Sequence, residues 1–244
     1  MERTEGTLLG GRVRYAQPRE GFRTGIEPVL LAASVPARPG ARVLEAGTGA
    51  GAGLLCLAAR VPGVIGTGVE IDPAMAALAR ANLEANGLSA GLTILEADIV
   101  GLAVAGGFDH AFANPPWHDP AGTAPAIPGR LRAKRAAAGL LDAWIGALAR
   151  QLRPRGTLGL ALPVAALPAA IAALAGARCG SIAILPLWPR AGQAARLMLI
   201  RAVAGGRGAC HVLPGLALHT GPGEPPGFTP EAETILRHGG ALNL

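Results

Sequence analysis

The strongest constraint in this 244-residue sequence is an alternation of short apolar strands with helical segments. The predicted strands cover 41–47, 63–72, 92–98, 108–116, 157–163, 181–187 and 195–203. The predicted helices cover 26–34, 51–61, 73–87, 136–152, 165–175 and 229–237. Because parallel strands joined by helices are buried on both faces, this order predicts a doubly wound α/β fold with a seven-stranded, mostly parallel sheet.

The last two predicted strands are joined by PLWPRAGQ, which is too short for a parallel crossover. We therefore expect the final strand to run antiparallel. The sequence contains no internal repeat and no linker between domains, so one domain is expected over 1–244. It would consist of an N-terminal segment over 1–35, the alternating region, and a glycine- and proline-rich C-terminal extension over 205–244.

Composition and charge narrow the functional classes. Half of the residues are hydrophobic and 16% are charged, which predicts a buried core and excludes a disordered chain. The net charge of +6 favours a polyanionic partner such as nucleic acid. The three cysteines lack paired spacing, so a reducing, cytoplasmic location is expected.

No membrane segment and no metal site are predicted. The N-terminal stretch MERTEGTLLGGR has no continuous apolar run, so neither a secretory signal nor an anchor is expected. The uncharged run 158–177 contains two prolines and is predicted to be a strand followed by a helix rather than a membrane span. Metal-ligand spacing is missing for His110, His211, His219 and His238.

The first candidate motif, Glu45-Ala-Gly-Thr-Gly-Ala-Gly51, joins the first strand of the alternating region to a helix. Glycines there let a ligand approach the backbone closely, or simply let strand and helix pack tightly. Glu70 ends the next strand, 21 residues beyond Gly49, where a carboxylate can accept hydrogen bonds from ribose hydroxyls. Asp98 ends the third strand and is either a further ligand contact or a loop cap.

The acids distinguish between cofactors. A dinucleotide would need its pyrophosphate neutralised at the glycine turn, whereas Glu45 occupies that place. S-adenosylmethionine fits better because it has no phosphate and carries an ammonium group. The pattern resembles the class I methyltransferase family, whose sheet ends with an antiparallel strand. Predicted cofactor contacts are Arg23, Glu45, Gly47, Thr48, Gly49, Gly51, Glu70, Ile71, Asp98, Ile99 and Asn114.

The second motif, Asn114-Pro115-Pro116-Trp117, ends the fourth strand of the alternating region. An exocyclic amine on adenine is a poor nucleophile because its lone pair is delocalised. If the Asn114 side-chain carbonyl and the Pro115 backbone carbonyl each accept one amine hydrogen, the lone pair can face a methyl sulfonium. Trp117 could stack on the base. The alternative is a proline-stiffened turn with a surface tryptophan.

This second motif resembles that of the amino-methyltransferases, which act on nucleobase amines or on a glutamine amide. More of the chain resembles the bacterial tRNA (adenine-N6) methyltransferases that modify the adenine beside the anticodon of a valine tRNA. The matching features are Gln17, Gly21-Phe22-Arg23, Gly25-Ile26-Glu27-Pro28, the glycine motif, GVEID and NPPW. The resemblance implies that segment 1–35 covers the cofactor, although Arg23 could equally be a surface arginine. Glu45 occupies a position where these enzymes usually have aspartate, and Trp117 occupies one where tyrosine or phenylalanine is commoner.

Length favours RNA as the substrate. About forty residues precede the glycine motif, whereas glutamine methyltransferases of release factors carry a helical recognition domain there, and DNA adenine methyltransferases need a target-recognition region. A compact domain suits a folded RNA whose target base is already unstacked. Candidate RNA contacts are Arg130, Arg132, Lys134, Arg135, Trp188 and Arg190. For the basic cluster the alternative is a solvated helix start.

The sequence thus predicts an S-adenosylmethionine-dependent tRNA adenine-N6 methyltransferase, with Asn114, Pro115, Pro116 and Trp117 at the catalytic site. A protein glutamine N5-methyltransferase and a catalytically idle RNA-binding fold are the alternatives.

Overall fold

The structure is a computed structural model that describes residues 2–20, 24–102, 106–117, 130–221 and 227–244, with backbone only over 130–138. Its strands are β1 Arg3–Leu8, β2 Val13–Pro18, β3 Arg42–Ala46, β4 Ile65–Glu70, β5 Leu92–Glu96, β6 Phe108–Ala113, β7 Leu152–Pro163, β8 Cys179–Trp188, β9 Leu197–Ala204, β10 His211–Val212 and β11 Leu216–Ala217. Its helices are α1 Glu27–Ser34, α2 Ala52–Arg60, α3 Pro73–Ala85, α4 Arg130–Gln151, α5 Leu167–Gly176 and α6 Pro230–His238.

The main sheet has the strand order β10-β8-β9-β7-β6-β3-β4-β5, with β11 also paired to β8. Strands β3 to β7 pair in parallel, whereas β9 is antiparallel to both β7 and β8. The predicted fold class and the antiparallel last strand are therefore confirmed. The two-residue strands β10 and β11 add to the seven predicted ones at the β8 edge.

Helices cover both faces of this sheet, as the run of apolar residues in each strand requires. In β3, Val43 belongs to one core cluster and its neighbour Leu44 to the other, because successive side chains point to opposite faces. The first cluster packs under α1, α2, α3 and α6, and the second under α4 and α5. The carboxyl ends of β3, β4, β5 and β6 consequently meet at one edge, to which each loop brings its polar residues.

The N-terminal hairpin of β1 and β2 was not predicted from the sequence. It docks on α3 through two asparagines one helical turn apart. Asn82 accepts from Ala16 N and donates to Ala16 O, at 2.9 and 2.8 Å. Asn86 does the same with Arg14, at 2.9 and 2.7 Å. The two side-chain amides thus pair with β2 as a neighbouring strand would.

Two further elements differ from expectation. Helix α4 begins at Arg130, six residues before the predicted start, so the basic segment that follows the second motif is helical. The C-terminal extension supplies β10, β11 and α6, and the predicted Thr229 cap of α6 is present, with its hydroxyl accepting from Ala232 N at 3.2 Å.

Within the described part of the chain, no helix is long and apolar enough to cross a membrane.

Candidate active site

The glycine turn after β3 has a backbone conformation that residues with side chains disfavour. Gly47, Gly49 and Gly51 have φ values of +64°, +56° and +88°, a region that L-residues with a side chain seldom adopt. A Cβ atom on Gly47 would lie 2.7 Å from Cη2 of Trp144, a residue of α4. The turn therefore presents bare backbone at the carboxyl edge of the sheet, and the Trp144 ring lies directly against it.

Glu45 lies beneath this turn, inside the protein, with 6% of its surface exposed. Its Oε2 accepts hydrogen bonds from the Thr48 hydroxyl at 2.5 Å and from Leu54 N at 2.9 Å, which ties the turn to the start of α2. Burial raises the pKa of Glu45 to about 8, with a smaller contribution from the charge of Glu70. The carboxyl group is therefore largely protonated at neutral pH unless a cation comes close.

Glu70 joins the glycine turn to the loop after β4. Its Oε2 accepts from Gly49 N at 2.8 Å and its Oε1 accepts from Asp72 N at 3.0 Å. Asp72 in turn caps α3 by accepting from Ala74 N at 2.8 Å. Each Glu70 oxygen keeps acceptor capacity beyond these bonds, so the carboxylate can still accept from the two hydroxyls of a ribose.

Three more predicted cofactor contacts lie along the same edge. The Ile71 side chain is 67% exposed beside Glu70 and offers an apolar surface to a planar ring. Asp98 is exposed and also caps its own loop, with Oδ1 accepting from Val100 N at 2.9 Å. Ile99 is 3% exposed and packs into the core, so only its backbone can face a ligand.

The second motif lies beside the glycine turn because β6 is the neighbour of β3. The register pairs Ala46 with Ala113, so Gly47 and Asn114 are the next residues on adjacent strands. Asn114 is half-buried, Pro115 is buried and Pro116 is exposed. The structure thus brings the two predicted motifs together, one at the end of each strand.

Trp117 is half-buried and packs against the core cluster under α4 and α5. Its Nε1 is buried and has no hydrogen-bond partner among the described residues. Part of the indole is therefore committed to the protein, and stacking on a base by the remaining surface stays a prediction.

Sequence analysis did not identify Trp144 as a site residue. Its spacing from Leu141, Ile145 and Leu148 predicts a core position on a helix face, and those three leucine and isoleucine residues are indeed buried. Only the fold shows that the half-buried ring reaches Gly47.

Asn82 of α3 links the N-terminal segment to the glycine turn. Asn82 Nδ2, which holds β2 through Ala16, also donates to Ala50 O at 2.9 Å. After β2, Thr24 is held by Gln17, whose Oε1 accepts from Thr24 N at 3.0 Å, and by the Tyr15 hydroxyl at 2.6 Å. Burial raises the pKa of Tyr15 to about 12. Arg23 lies outside the described residues, and its contact with the cofactor stays a prediction.

The predicted RNA contacts occupy two places. Arg130, Arg132, Lys134 and Arg135 lie in the first turns of α4, where only the backbone is described. Trp188 and the half-buried Arg190 lie where β8 ends, at the same edge as the glycine turn.

Trp188 has a structural contact that sequence analysis did not foresee. Its Nε1 donates to Pro214 O at 3.0 Å, and its indole packs against Gly215 so closely that a Cβ atom there would overlap it. Trp188 thereby anchors the C-terminal extension.

Among the described residues, no group of three or more His, Cys, Asp or Glu side chains is placed to hold a metal ion.

Comparison with known proteins agrees with this geometry. Residues 27–143 match the family model of the methyltransferase small domain. The chain is 34% identical over 151 residues to the tRNA1(Val) (adenine(37)-N6)-methyltransferase of Dickeya chrysanthemi, a match that covers 61% of this chain and 59% of that protein. It is 42% identical over 78 residues to the release factor glutamine methyltransferase of Rhodospirillum rubrum, covering 32% and 24% respectively. The chain thus spans less than two thirds of either relative.

A solved structure extends the likeness over most of the chain. A predicted O-methyltransferase from Agrobacterium tumefaciens is 27% identical, with a TM-score of 0.73, and the match covers 89% of this chain and 99% of that one. An O-methyltransferase from Thermotoga maritima, 20% identical with a TM-score of 0.56, shows the same fold.

Proposed function

We propose that this chain, a class I methyltransferase by its fold and by its family match, methylates the exocyclic N6 amine of adenine in tRNA next to the anticodon. One observation carries the proposal. The Asn114 motif and the glycine turn end adjacent strands, paired through Ala113 and Ala46, so a group held by Asn114 lies next to a cofactor bound at the turn. The enzyme is proposed to work in the cytoplasm.

The residues at the turn fit S-adenosylmethionine, the cofactor of this family. The left-handed turn leaves the backbone exposed at Gly47, and the Glu70 carboxylate is held in place by two backbone amides with acceptor capacity to spare. Ile71 supplies an apolar surface beside it. When bound, the cofactor supplies an electrophilic methyl group on sulfur.

The chain's own residues activate the acceptor. Asn114 Oδ1 and the Pro115 carbonyl each accept one hydrogen of the amine, which turns the nitrogen lone pair away from the ring and toward the glycine turn. The rigid prolines keep these two acceptors at fixed positions. Transfer makes the nitrogen cationic and strongly acidic, so one amine proton leaves to solvent without a dedicated strong base.

The position of α4 supports RNA as the partner. Its carboxyl end adjoins the start of β6, where Gly107 N donates to Gln151 O at 2.9 Å, so its amino end lies on the side of the site. The helix begins 11 residues before the buried Leu141, or roughly 16 Å at 1.5 Å per residue. Four basic residues lie in that part of the sequence, where they could follow a phosphate backbone beside the target base.

A second candidate function is favoured by the 42% identity over 78 residues to the release factor glutamine methyltransferase. The same pair of acceptors can hold a glutamine side-chain amide in place of an adenine amine. The two candidates share the cofactor and the Asn114 chemistry, and they differ in the molecule that is methylated.

The test is transfer of radiolabelled methyl from S-adenosylmethionine to separated tRNA, rRNA and protein fractions from cells that lack this gene. We expect label in tRNA, recovered as N6-methyladenosine, and nearly complete loss of label with Asn114→Ala at a cofactor concentration that saturates both proteins. The matched control is Asn243→Ala, which removes an exposed asparagine near the C-terminus.

Label in protein would replace tRNA by glutamine as the target. Cofactor binding without any label would point to a substrate missing from these fractions or to an idle fold. Retained activity of Asn114→Ala would refute the role of this side chain as the acceptor of the amine hydrogen.

A further inference from the structure

Charge is distributed very unevenly along this chain. Residues 143–221 contain eight arginines and no aspartate or glutamate. This segment builds β7, β8, β9 and α5, one half of the sheet. A general preference for arginine over lysine would not remove acidic residues from one segment while leaving them in the rest. The asymmetry therefore needs an explanation at the surface of that half.

The strand registers bring most of these arginines to the edge opposite the candidate active site. Strand β7 begins beside the start of β6, where Leu152 pairs with Phe108, and β8 begins beside the end of β9, where Cys179 pairs with Ala204. The exposed arginines along this opposite edge of the sheet are here called the basic edge. They are Arg38, Arg42, Arg150, Arg153, Arg155, Arg178 and Arg207.

Few carboxylates offset this charge among the described residues. Asp109 is 2.7 Å from Arg153 Nη1 and accepts Arg42 N at 2.7 Å, and it is largely buried beneath them. Asp142 lines a cavity together with Arg150 and Arg178. The basic edge thus keeps a clear positive excess, which attracts a polyanion and is self-repulsive without one.

The shape of the surface suits phosphate groups. One cavity of about 430 Å³ opens between Arg150 and Arg178, and another of about 380 Å³ lies beside Arg38 and Arg153. The planar guanidinium group binds phosphate oxygens through two parallel hydrogen bonds, which a cavity flanked by arginines allows. Arg178 also has a left-handed backbone, with φ of +56°, a conformation that is unfavourable for a residue with a side chain.

We propose that the basic edge docks the phosphate backbone of the RNA substrate at a distance from the reacting base. The inference rests on the proposed function for the identity of that RNA. Strand β6 separates the two edges by six residues, on the order of 20 Å. An RNA that occupies both places must therefore extend at least this far from the target base, as a folded tRNA does.

The test compares two triple variants of exposed arginines. Arg150→Gln, Arg178→Gln and Arg207→Gln together remove three charges from the basic edge. The matched control replaces Arg3, Arg19 and Arg237, which are also exposed but lie beside Glu5, Glu2 and Glu233. Binding of fluorescently labelled whole tRNA, taken from cells that lack this gene, is measured by anisotropy between about 50 and 200 mM salt.

We expect the basic-edge triple to weaken tRNA binding by about tenfold or more and to reduce the salt slope by about 2 to 3, since each phosphate contact contributes about 0.7 to 0.9. The control triple and the affinity of both variants for S-adenosylmethionine should match the unmodified protein. In turnover, the KM for whole tRNA should rise with kcat unchanged.

Unchanged tRNA affinity and salt slope in the basic-edge triple would overturn the inference, as would failure of the unmodified protein to bind tRNA. The binding measurement does not depend on methyl transfer. If the triple loses tRNA binding but no RNA is methylated by any protein, the docking surface stands and the proposed function fails.

Discussion

The Glu45→Gln substitution should make the stability of this protein less dependent on pH. Glu45 is buried under the glycine turn, where Thr48 and Leu54 donate to the same carboxyl oxygen. A glutamine side chain keeps an acceptor oxygen for both donors and cannot ionise. The substitution therefore removes the titration of this site and leaves its hydrogen bonds in place.

The magnitude follows from the pKa of Glu45, which burial raises from 4.5 to about 8. The folded protein holds the proton more tightly than the unfolded chain, so the free energy of unfolding falls as pH rises from about 4.5 to about 8 and levels off above. At about 1.4 kcal/mol per pKa unit, this shift corresponds to a loss of several kcal/mol for the unmodified protein. Glu45→Gln should show no such loss from this site.

The measurement is urea unfolding of the unmodified protein and of Glu45→Gln at intervals between pH 5 and 9, without cofactor. The difference between their free energies of unfolding isolates the one site, because the other titrating groups are common to both proteins. We expect the variant to gain stability relative to the unmodified protein by several kcal/mol across this range. A difference that stays constant with pH would show that Glu45 does not titrate as its burial requires.

Three other substitutions test contacts at the turn. Gly47→Ala should weaken S-adenosylmethionine binding at least tenfold by calorimetry, because the new methyl group meets Trp144. The control is Gly40→Ala, where φ is +82° and the space around the residue is open. It introduces backbone strain alone and should bind the cofactor normally. Glu70→Gln should weaken cofactor binding by about 1–3 kcal/mol in the same assay, since an amide is a poorer acceptor for ribose hydroxyls. Asn82→Ala should speed hydrogen exchange in β1 and β2, because it leaves the Ala16 amide and carbonyl without their partner. Unchanged protection of these strands would contradict the docking contact.

Sequence patterns could predict the positions of those site residues that lie at the carboxyl ends of strands. Because parallel strands share a carboxyl edge, the order of the motifs alone placed Glu70 near the glycine turn, and the hydrogen bond from Gly49 N confirms that proximity. The neighbouring position of Asn114 depends on the strand order as well, which only the structure shows. The single domain over 1–244 and the roles of the individual site residues stay predictions.

The parts that could not be predicted depend on long-range packing. The hairpin has the alternation of a strand only in β2, where Val13 and Tyr15 are buried, and its docking relies on asparagines that lie some 70 residues away. The direction in which Glu45 points, and hence its burial and raised pKa, is equally invisible in a motif. The same is true of Trp144, whose helical spacing is that of an ordinary core residue.

The pairing of β2 with the side chains of α3 has a consequence for the order of events during synthesis. The hairpin leaves the ribosome before α3 does, since Asn82 follows Ala16 by 66 residues and Asn86 follows Arg14 by 72. At roughly 5–20 residues per second, the two strands wait several seconds for their receptor. A nascent chain arrested before α3 would therefore carry an undocked hairpin, sensitive to protease until the helix that receives it has emerged.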